Sequence, residues 1–280
     1  MPLFIRIVIR GAGDLATGVA LRLYRSGLRS IVMLEREDPL AVRRKVSFSE
    51  AARLGRHAVE GVEAWRAASS QEARAILSGG GIPVMVDPLA SSVAKLRPHV
   101  LVDAVMAKRN LGTSKGDAQL VIGLGPGFTA GQDCHRVVET HRGHGLGRVI
   151  SGGRALPNTG VPNPVMGFAA ERVLRAPAEG FFETSLDIGD RVAQGQTVGF
   201  VDGTPVVTPI PGVLRGLLPH MTRVLAGLKV GDVDPRDDPS CCSLVSDKAL
   251  AVGGGVLEAI LERFNARPDS GRSEEAPEWP

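Results

Sequence analysis

The sequence has little cysteine and no long apolar stretch, and both absences narrow the class of protein. Its three cysteines, Cys134, Cys241 and Cys242, form neither a disulfide framework nor a zinc-binding spacing. No apolar run approaches the roughly 20 residues that a membrane helix needs. The start, "FIRIVIR", alternates charged with β-branched residues and lacks the layout of a signal peptide. We therefore expect a cytoplasmic protein without a membrane partner.

The chain also has little net charge and no familiar catalytic signature. A formal net charge of +3 over 280 residues gives no basis for predicting a nucleic-acid partner. The basic residues are nearly all arginine, which suits contacts with carboxylates and phosphates, although a GC-rich genome gives the same bias without any function. No nucleophile elbow, Ser-His-Asp signature or paired-carboxylate arrangement stands out. Composition alone leaves open whether the protein is an enzyme.

The first 35 residues follow the order strand, turn, helix, strand. The β-branched run at 5–9 predicts a buried strand, and "SIVMLE" at 30–35 predicts a second one. Between them, apolar residues at helical spacing follow a glycine-rich turn, and Gly27 ends the helix. A glycine-rich turn in this context is typical of dinucleotide-binding folds.

Four more strand-like runs follow, at 57–64, 82–87, 99–106 and 118–125, with helical patterns between several of them. This alternation predicts the α/β class, with a Rossmann-like parallel sheet and helices on both faces. We assign residues 1–175 to this predicted nucleotide-binding domain.

The composition changes after about residue 176, where short strands and Gly and Pro turns replace helices. The segment "IGDRVAQGQTVGFV" is similar to the later segment "VLAGLKVGDVD". Two related halves of this kind predict a small β barrel-sandwich domain over 176–240. Residues 241–265 predict a C-terminal helix that packs back on the first domain. The triple glycine at 253–255 is costly inside a helix, so either the helix begins after it or another backbone packs against it. Residues 266–280 are rich in Pro, Ser and charge, and we expect a disordered tail.

The glycine-rich turn "RGAGDLATG" is the main candidate for ligand binding. Gly11 permits a tight turn, Gly13 permits close approach of a pyrophosphate, and Ala16 allows close helix–strand packing. The start of the following helix offers free N–H groups to an anion. The predicted cofactor-binding residues are Gly11, Gly13, Asp14, Ala16, Thr17 and Glu35, the last placed to bond a ribose hydroxyl. A turn whose glycines serve packing alone is the alternative.

Asp14 is unusual in such a turn. Its carboxylate would repel a diphosphate unless a metal or Arg10 offsets it. We hypothesise that Asp14 caps the helix or meets a polar end of the ligand.

Three later segments hold candidates for contacts with an anion or substrate. "DAVMAKRNLGT" places two cations beyond a predicted strand, "GLGPGFTAGQD" is a turn that exposes N–H groups, and "ETHRGHGLGRV" gathers histidines and arginines. The candidates are Lys108, Arg109, Asn110, Gly125, Gly127, Thr129, His141, Arg142 and His144. The alternatives are a solvated basic loop, a connecting loop and a domain-junction loop. We predict no metal site, because the two histidines lack a third ligand nearby.

The neighbouring pair Cys241 and Cys242 suggests redox or metal-transfer chemistry, with a plain loop as the alternative. A stable disulfide between adjacent cysteines is rare, because the ring is strained.

Several blocks together resemble one known family over nearly the whole chain, to about residue 263. They are "VIRGAGDLATGVALRLYRSG", "AKRNLGTS", "VIGLGPGFTAG", "ETHRGHGLGRVI", "PNTGVP", "VLRGLL", "KVGDVDPR" and "SDKALAVGGGVLEAIL". These blocks resemble the YqeB-type selenium-dependent molybdenum hydroxylase accessory protein family. The resemblance implies a role in the maturation or supply of hydroxylases that carry labile selenium, and it brings no catalytic residue with it. Whether the cysteine pair handles selenium stays open.

The segment 176–240 also resembles lipoyl- and biotinyl-type hammerhead domains, through "GDRVAQGQTV" and "VVTPIPGVL". Carrier domains of that kind present a modifiable lysine at a hairpin tip. The corresponding tip, "VDGT" at 201–204, has no lysine. The resemblance therefore implies a docking or lid module rather than a swinging arm.

Three functions stay open at this point. The first is an accessory factor that binds a nucleotide-bearing ligand, NAD(P) or a molybdopterin dinucleotide, and has a molybdenum hydroxylase as partner. The second is an NAD(P)-dependent oxidoreductase, with His141, His144 and Lys108 as candidate acid–base or hydride-orienting residues. The third is a non-catalytic scaffold that docks the hydroxylase through the barrel. Self-association stays open in each case.

Overall fold

The structure is a computed structural model that describes residues 4–265. In the first part of the chain, nine strands form one sheet. The strands are β1 (Ile7–Arg10), β2 (Ile31–Glu35), β3 (Arg56–Val59), β4 (Val62–Ala67), β5 (Ile82–Val86), β6 (Val100–Asp103), β7 (Leu120–Leu124), β8 (Arg136–Val138) and β9 (Val149–Ile150). Their order across the sheet is β3-β4-β5-β2-β1-β6-β7-β8-β9. The β-branched, fully buried strand β1 therefore lies in the middle, where both faces are covered.

The sheet is parallel in its centre and antiparallel at both edges. Ile7 of β1 pairs with Ile31 on one side and with Val100 on the other, both in parallel register. At one edge β3 pairs with β4 in antiparallel register, and at the other edge β8 pairs with β9 in the same way. The carboxyl ends of the central strands therefore meet along one side of the sheet.

The edge hairpin corrects one strand prediction, because the run at 57–64 is two strands rather than one. Glu60 and Gly61 stand at its tip with φ of 46° and 81°. Positive φ at both central residues is the geometry of the tight hairpin turn that matches strand twist. Glycine adopts this conformation freely, whereas Glu60 is an uncommon residue for it, so the turn is weakly marked in the sequence.

Within residues 4–265, five α-helices accompany the strands. They are α1 (Asp14–Arg25), α2 (Ser49–Leu54), α3 (Ser70–Ser78), α4 (Val93–Leu96) and α5 (Asp247–Phe264). Helices α1 and α5 pack together on one face of the sheet, where Val19, Val252 and Val256 join the core that contains Ile9. Helix α3 contributes Ala73 to the core on the opposite face.

The triple glycine lies inside α5, and two of its members face another backbone. A Cβ on Gly253 would lie 2.9 Å from the carbonyl oxygen of Gly18 in α1. A Cβ on Gly255 would lie 2.0 Å from the carbonyl oxygen of Gly147. Close backbone approach on two sides of α5 therefore explains these glycines, as the second of the two alternatives supposed.

The rest of the chain forms two antiparallel sheets of four strands. The strands are β10 (Val173–Arg175), β11 (Gly180–Glu183), β12 (Arg191–Val192), β13 (Thr197–Val201), β14 (Thr204–Val207), β15 (Gly212–Leu217), β16 (Thr222–Val224) and β17 (Lys229–Asp234). The first sheet has the order β10-β17-β15-β12 and the second β14-β13-β11-β16. Alternating apolar side chains such as Phe182, Val213 and Val233 form a separate core between them.

These sheets overturn the predicted fold class. The large sheet is mixed rather than parallel, and the connections from β6 to β7 and from β7 to β8 contain no α-helix. Loops therefore take the place of the helices that were expected at these two connections. The later strands form two separate four-stranded antiparallel sheets, and the prediction of a Rossmann-like sheet followed by a lipoyl/biotinyl-like barrel is wrong. Apart from the run at 57–64, the predicted runs each contain one strand, but they gave neither the direction nor the partner of that strand.

The loop before α2 connects the two parts of the chain. The Leu217 amide of β15 donates to the Val42 carbonyl at 2.8 Å, and the Arg44 guanidinium donates to the Leu217 carbonyl at 2.8 Å. Val42 also packs against the core of the antiparallel sheets.

Within residues 4–265, no helix is long and apolar enough to cross a membrane. The predicted disordered tail lies outside the described residues.

Candidate functional site

The two glycines of the turn between β1 and α1 have different surroundings. Gly11 has φ +99°, and a Cβ there would lie 3.0 Å from the Ala104 carbonyl oxygen beyond β6. Gly11 is therefore required by packing within the protein. Gly13 is the N-cap of α1 with φ −69°, and no atom of residues 4–265 lies within 4 Å of the position that its Cβ would take. In the described chain no side chain caps this end of α1, so the turn presents free space beside helix N–H groups.

Three other predicted cofactor-binding residues hold the turn in shape. The Glu35 carboxylate accepts from the Ala12 amide at 2.9 Å through one oxygen and from the Arg36 amide at 2.8 Å through the other. The buried Thr17 hydroxyl donates to the Ala12 carbonyl at 3.1 Å and accepts from the Phe48 amide at 2.8 Å. Ala16 lies in the core beneath the turn. Their observed contacts are therefore structural.

Asp14 is paired with a residue that the sequence did not single out. Its Oδ2 lies 3.1 Å from Nη1 of Arg43, and its Oδ1 is buried without a hydrogen-bond partner among the described residues. Arg10, the expected counter-ion, instead lies with its Nη1 3.4 Å from Oδ2 of Asp103 and 3.0 Å from Oγ1 of Thr113. Arg43 therefore offsets the charge of Asp14 at the start of α1.

A cleft of about 860 Å³ lies beside this end of α1, between the carboxyl ends of the central strands and the first antiparallel sheet. Its charged and titratable lining residues are Asp14, Arg43, Lys108, His141, Arg142, Arg172, Arg175, Arg215, Lys229, Arg236, Cys241, Asp247 and Lys248. Cations outnumber carboxylates in this lining. The cleft is therefore suited electrostatically to an anionic ligand.

The cleft brings together some of the predicted contact residues and leaves others aside. Asp14, Lys108, His141 and Arg142 line it. The remaining candidates, Gly11, Gly13, Ala16, Thr17, Glu35, Arg109, Asn110, Gly125, Gly127, Thr129 and His144, are not part of its lining.

Several of the residues outside the lining have clear structural roles. Oδ1 of Asn110 accepts from the amides of Gly112 and Thr113 at 2.9 and 2.8 Å, which shapes its own loop. A Cβ on Gly127 would lie 2.6 Å from the Arg109 amide nitrogen, so this glycine lets two loops approach each other. A Cβ on Gly125 would lie 2.4 Å from Oγ1 of Thr140.

Thr129 and the loop from Glu139 to His144 are held by further hydrogen bonds. Thr129 accepts from Nε of Arg154 at 2.8 Å, so its hydroxyl is used within the protein. The buried Glu139 carboxylate accepts from the amides of Thr140 and His141 at 2.7 Å each, which fixes the backbone that carries His141 into the cleft.

Arg142 crosses from the loop after β8 to the first residue of α5. Its Nη1 and Nη2 donate to the two carboxylate oxygens of Asp247 at 2.6 and 2.8 Å. This pairing lowers the pKa of Asp247 to about 2. Burial, together with the charge of Arg142, lowers the pKa of the neighbouring Lys248. The start of α5 therefore adds an ion pair and a perturbed amine to the cleft wall.

The sequence analysis also missed a cluster of cations on the antiparallel-sheet wall. Arg172, Arg215, Lys229 and Arg236 line the cleft around two buried carboxylates of β17. The usable signal was the pair Asp232 and Asp234, because acids that alternate along one face of an apolar strand need cationic partners.

The three cysteines are free and differ in accessibility. Cys134 is fully buried, which raises the pKa of its thiol to about 11. Burial also raises the pKa of Cys242, whose sulfur lies 3.7 Å from the Leu214 carbonyl oxygen. Cys241 lines the cleft, with its sulfur 3.8 Å from Oδ2 of Asp238. In the described part of the chain, no three His, Cys, Asp or Glu residues are grouped in a way that could hold a metal ion.

Comparison with known proteins relates the chain to a bacterial relative. It is 49% identical over 255 residues to "Uncharacterized protein YqeB" of Escherichia coli (strain K12). The match covers 91% of this chain and 47% of the relative, so the chain spans about half the length of that protein. No protein-family profile matches the chain. The chain is thus a homologue of YqeB over that part of the relative.

Solved structures give weaker likenesses. A succinylglutamate desuccinylase/aspartoacylase from Rhodobacter sphaeroides aligns over 33% of this chain and 28% of its own at 22% identity, with a TM-score of 0.21. An aspartoacylase family protein from Mesorhizobium loti aligns over 82% and 85% at 10% identity, with a TM-score of 0.27. Neither similarity is high enough to assign a shared fold or activity.

Proposed function

We propose that the chain binds an anionic, nucleotide-bearing ligand in the cleft, with a phosphate at the start of α1. One observation carries this proposal. No atom of the described part of the chain lies within 4 Å of the Cβ position of Gly13, and the first two residues of the uncapped helix, Asp14 and Leu15, line a cleft rich in cations. A phosphate group approaching Gly13 would meet backbone N–H groups and the positive end of the helix dipole.

The size and charge of the cleft support a ligand larger than a single phosphate. Its volume of about 860 Å³ falls within the range of small-molecule and cofactor sites, which is roughly 300–1,000 Å³. NAD(P) and a molybdopterin dinucleotide both carry a pyrophosphate and further polar groups. Lys108 and His141 lie on the strand-end side of the cleft, where they can contact the parts of such a ligand beyond the pyrophosphate.

We further propose a biological role as an accessory factor in the maturation of selenium-dependent molybdenum hydroxylases, with a cytoplasmic hydroxylase as partner. The sequence blocks quoted above and the 49% identity to YqeB support this proposal over the region of similarity. Under this proposal the cleft holds the hydroxylase cofactor or a nucleotide needed for its insertion.

Calorimetry and native mass spectrometry of the purified chain with NAD(H), NADP(H) and molybdopterin cytosine dinucleotide test the ligand proposal. We expect one of these to bind, and we expect Gly13→Val to weaken that binding by at least about tenfold because its side chain occupies the phosphate position. Gly152→Val is the matched control, since its Cβ also meets no atom of the described residues within 4 Å and Gly152 follows the edge strand β9 instead of leading into α1. Equal affinity of the Gly13→Val variant and the unmodified chain would contradict a phosphate at this turn.

The same ligands separate the alternatives. Turnover of a bound nicotinamide nucleotide with a candidate substrate would favour an oxidoreductase. A chain that binds none of them but forms a stable complex with a molybdenum hydroxylase would favour the scaffold.

A further inference from the structure

One wall of the cleft carries four basic side chains around two buried acids. Asp232 and Asp234 lie two residues apart on β17, point to the same side of the strand and are almost completely buried. Carboxylates buried in this way need cations close by, because an isolated buried charge is strongly unfavourable.

The cations satisfy the acids in a connected network. Arg215 bridges the two, with Nε 2.8 Å from Oδ2 of Asp232 and Nη1 3.6 Å from Oδ2 of Asp234. Lys229 lies with Nζ 3.3 Å from Oδ1 of Asp232. Arg236 donates to Oδ2 of Asp234 from Nη2 at 2.6 Å.

Arg172 belongs to this network but does not complete it. Its Nη2 lies 3.7 Å from Oδ2 of Asp232, beyond hydrogen-bonding distance, and is buried without a hydrogen-bond partner in residues 4–265. The residue as a whole is 4% exposed and lines the cleft. Buried guanidinium N–H groups normally have acceptors, so Arg172 at the cleft wall lacks an acceptor that an anionic ligand would supply.

The balance of charge indicates the kind of acceptor. Four cations share two carboxylates, which leaves an excess of positive charge on this wall. Burial lowers the pKa of Lys229 and of Arg172, which disfavours their charged forms. An anion bound beside these residues would offset this effect and favour the charged forms. Arginine forks match the several oxygens of a tetrahedral oxyanion better than a single carbonyl oxygen.

We propose that Arg172, Arg215, Lys229 and Arg236 form a second anion subsite, which binds a phosphate group at the antiparallel-sheet wall. This deepens the proposed function, because a ligand held both here and at Gly13 would span the cleft between the two parts of the chain. The phosphate could belong to a nucleotide ligand or be free inorganic phosphate, and the experiment distinguishes these sources.

The test is calorimetric titration of the full chain with inorganic phosphate, with pyrophosphate and with AMP at low ionic strength. We expect Lys229→Gln to weaken phosphate binding about tenfold, as the loss of one charge-assisted contact implies. Arg172→Lys keeps the charge but removes the fork, and we expect a similar loss. Arg223→Gln is the matched control, since Arg223 is an exposed, ion-paired residue of the other antiparallel sheet outside the cleft. Its phosphate affinity should stay within about twofold of the unmodified chain.

The outcomes separate this subsite from the turn. Phosphate affinity that falls in Lys229→Gln but not in Gly13→Val supports the subsite, even if no dinucleotide binds. Phosphate binding that Lys229→Gln and Arg172→Lys leave unchanged in folded protein, or no phosphate binding at all, overturns it. AMP that binds more tightly than inorganic phosphate through the same residues identifies a nucleotide as the source. If Arg172→Lys fails to fold, the partly exposed Lys229 decides the question alone.

Discussion

Oδ2 of Asp14 lies 3.1 Å from Nη1 of Arg43, and this ion pair links two distant parts of the chain. Nη2 of Arg43 also donates to the carbonyls of Cys241 and Leu244, at 3.0 and 2.8 Å. One guanidinium therefore holds the first residue of α1 against the segment that leads into α5. The position of the glycine-rich turn and the position of one cleft wall are set by the same side chain.

Replacing Arg43 should destabilise the fold. Arg43→Ala leaves a carboxylate and two carbonyls without their shared donor, and we expect a loss of about 3 kcal/mol in the free energy of unfolding. Arg43→Lys retains the charge but cannot reach all three acceptors, so its loss should be smaller. Urea denaturation measures both, with the exposed Arg223→Gln as control. Equal stability of Arg43→Ala and the unmodified chain would show that these contacts contribute nothing.

Asp14→Asn should strengthen binding of an anionic ligand. The Asp14 carboxylate lines the cleft, and its Oδ1 has no hydrogen-bond partner. Removing one negative charge at a few ångströms from a bound phosphate is worth about 1 kcal/mol, which corresponds to roughly fivefold in affinity. Calorimetry with pyrophosphate measures the change. Glu258→Gln removes an exposed acid of α5 outside the cleft and should leave the affinity unchanged. Weaker binding by Asp14→Asn would instead indicate that Asp14 contacts the ligand directly.

The start of the fold follows from the sequence because its determinants are local. The order β1, turn, α1, β2 spans residues close in sequence, and periodicity with glycine punctuation marks each boundary. Asp14 was recognised as unusual because the turn that contains it is also a local feature. Its ion-pair partner Arg43 was not predicted, because Arg43 comes from a separate loop and local periodicity does not connect the two residues.

The sheet edges and the cation cluster could not be predicted, for a related reason. The hairpin at Glu60 and Gly61 reverses the chain direction within one strand-like run. Because the turn lacks a standard hairpin dipeptide, the alternation of apolar and polar residues does not predict it. The cluster collects Arg172, Arg215 and Arg236 from three segments around β17. Only the assembled sheet brings these side chains together.

The triple glycine gives a matched pair of substitutions one residue apart. A Cβ on Gly254 would meet no atom of residues 4–265 within 4 Å, so Gly254→Ala should stabilise the protein by about 0.5–1 kcal/mol through helix propensity. A Cβ on Gly255 would lie 2.0 Å from the Gly147 carbonyl oxygen, so Gly255→Ala should cost about 1–3 kcal/mol or more. Thermal and urea unfolding of the two variants measure the difference. Changes of the same sign would contradict the close packing of α5.

Asp234 should make stability depend on pH in the acid range. Burial acts to raise the pKa of Asp234, but hydrogen bonds from Arg236 and the charges of Arg215 and Arg236 lower it from 3.8 to about 2. A lowered folded-state pKa contributes stability that is present above pH 3.8 and is lost as pH falls through 2. The shift corresponds to about 2 kcal/mol. Asp234→Asn should therefore be less stable than the unmodified chain by about that amount at pH 7, and the gap should close toward pH 2. A gap that stays constant from pH 7 to pH 2 would contradict this origin.

Cys241 should be the thiol that reacts first with an alkylating reagent. The pKa of about 11 for Cys134 and its complete burial leave it almost no accessible thiolate near neutral pH, and burial also raises the pKa of Cys242. Cys241 lies in the wall of the cleft, where a reagent can reach it. Iodoacetamide followed by peptide mass spectrometry should show labelling of Cys241 at a rate about a hundredfold above that of Cys134, and Cys241→Ser should remove the fast phase. Because the carbonyl of Cys241 is bonded to Arg43 beside Asp14, a ligand that occupies the cleft should also slow this labelling. Labelling that pyrophosphate at saturating concentration leaves unchanged would place the bound anion away from the cysteine.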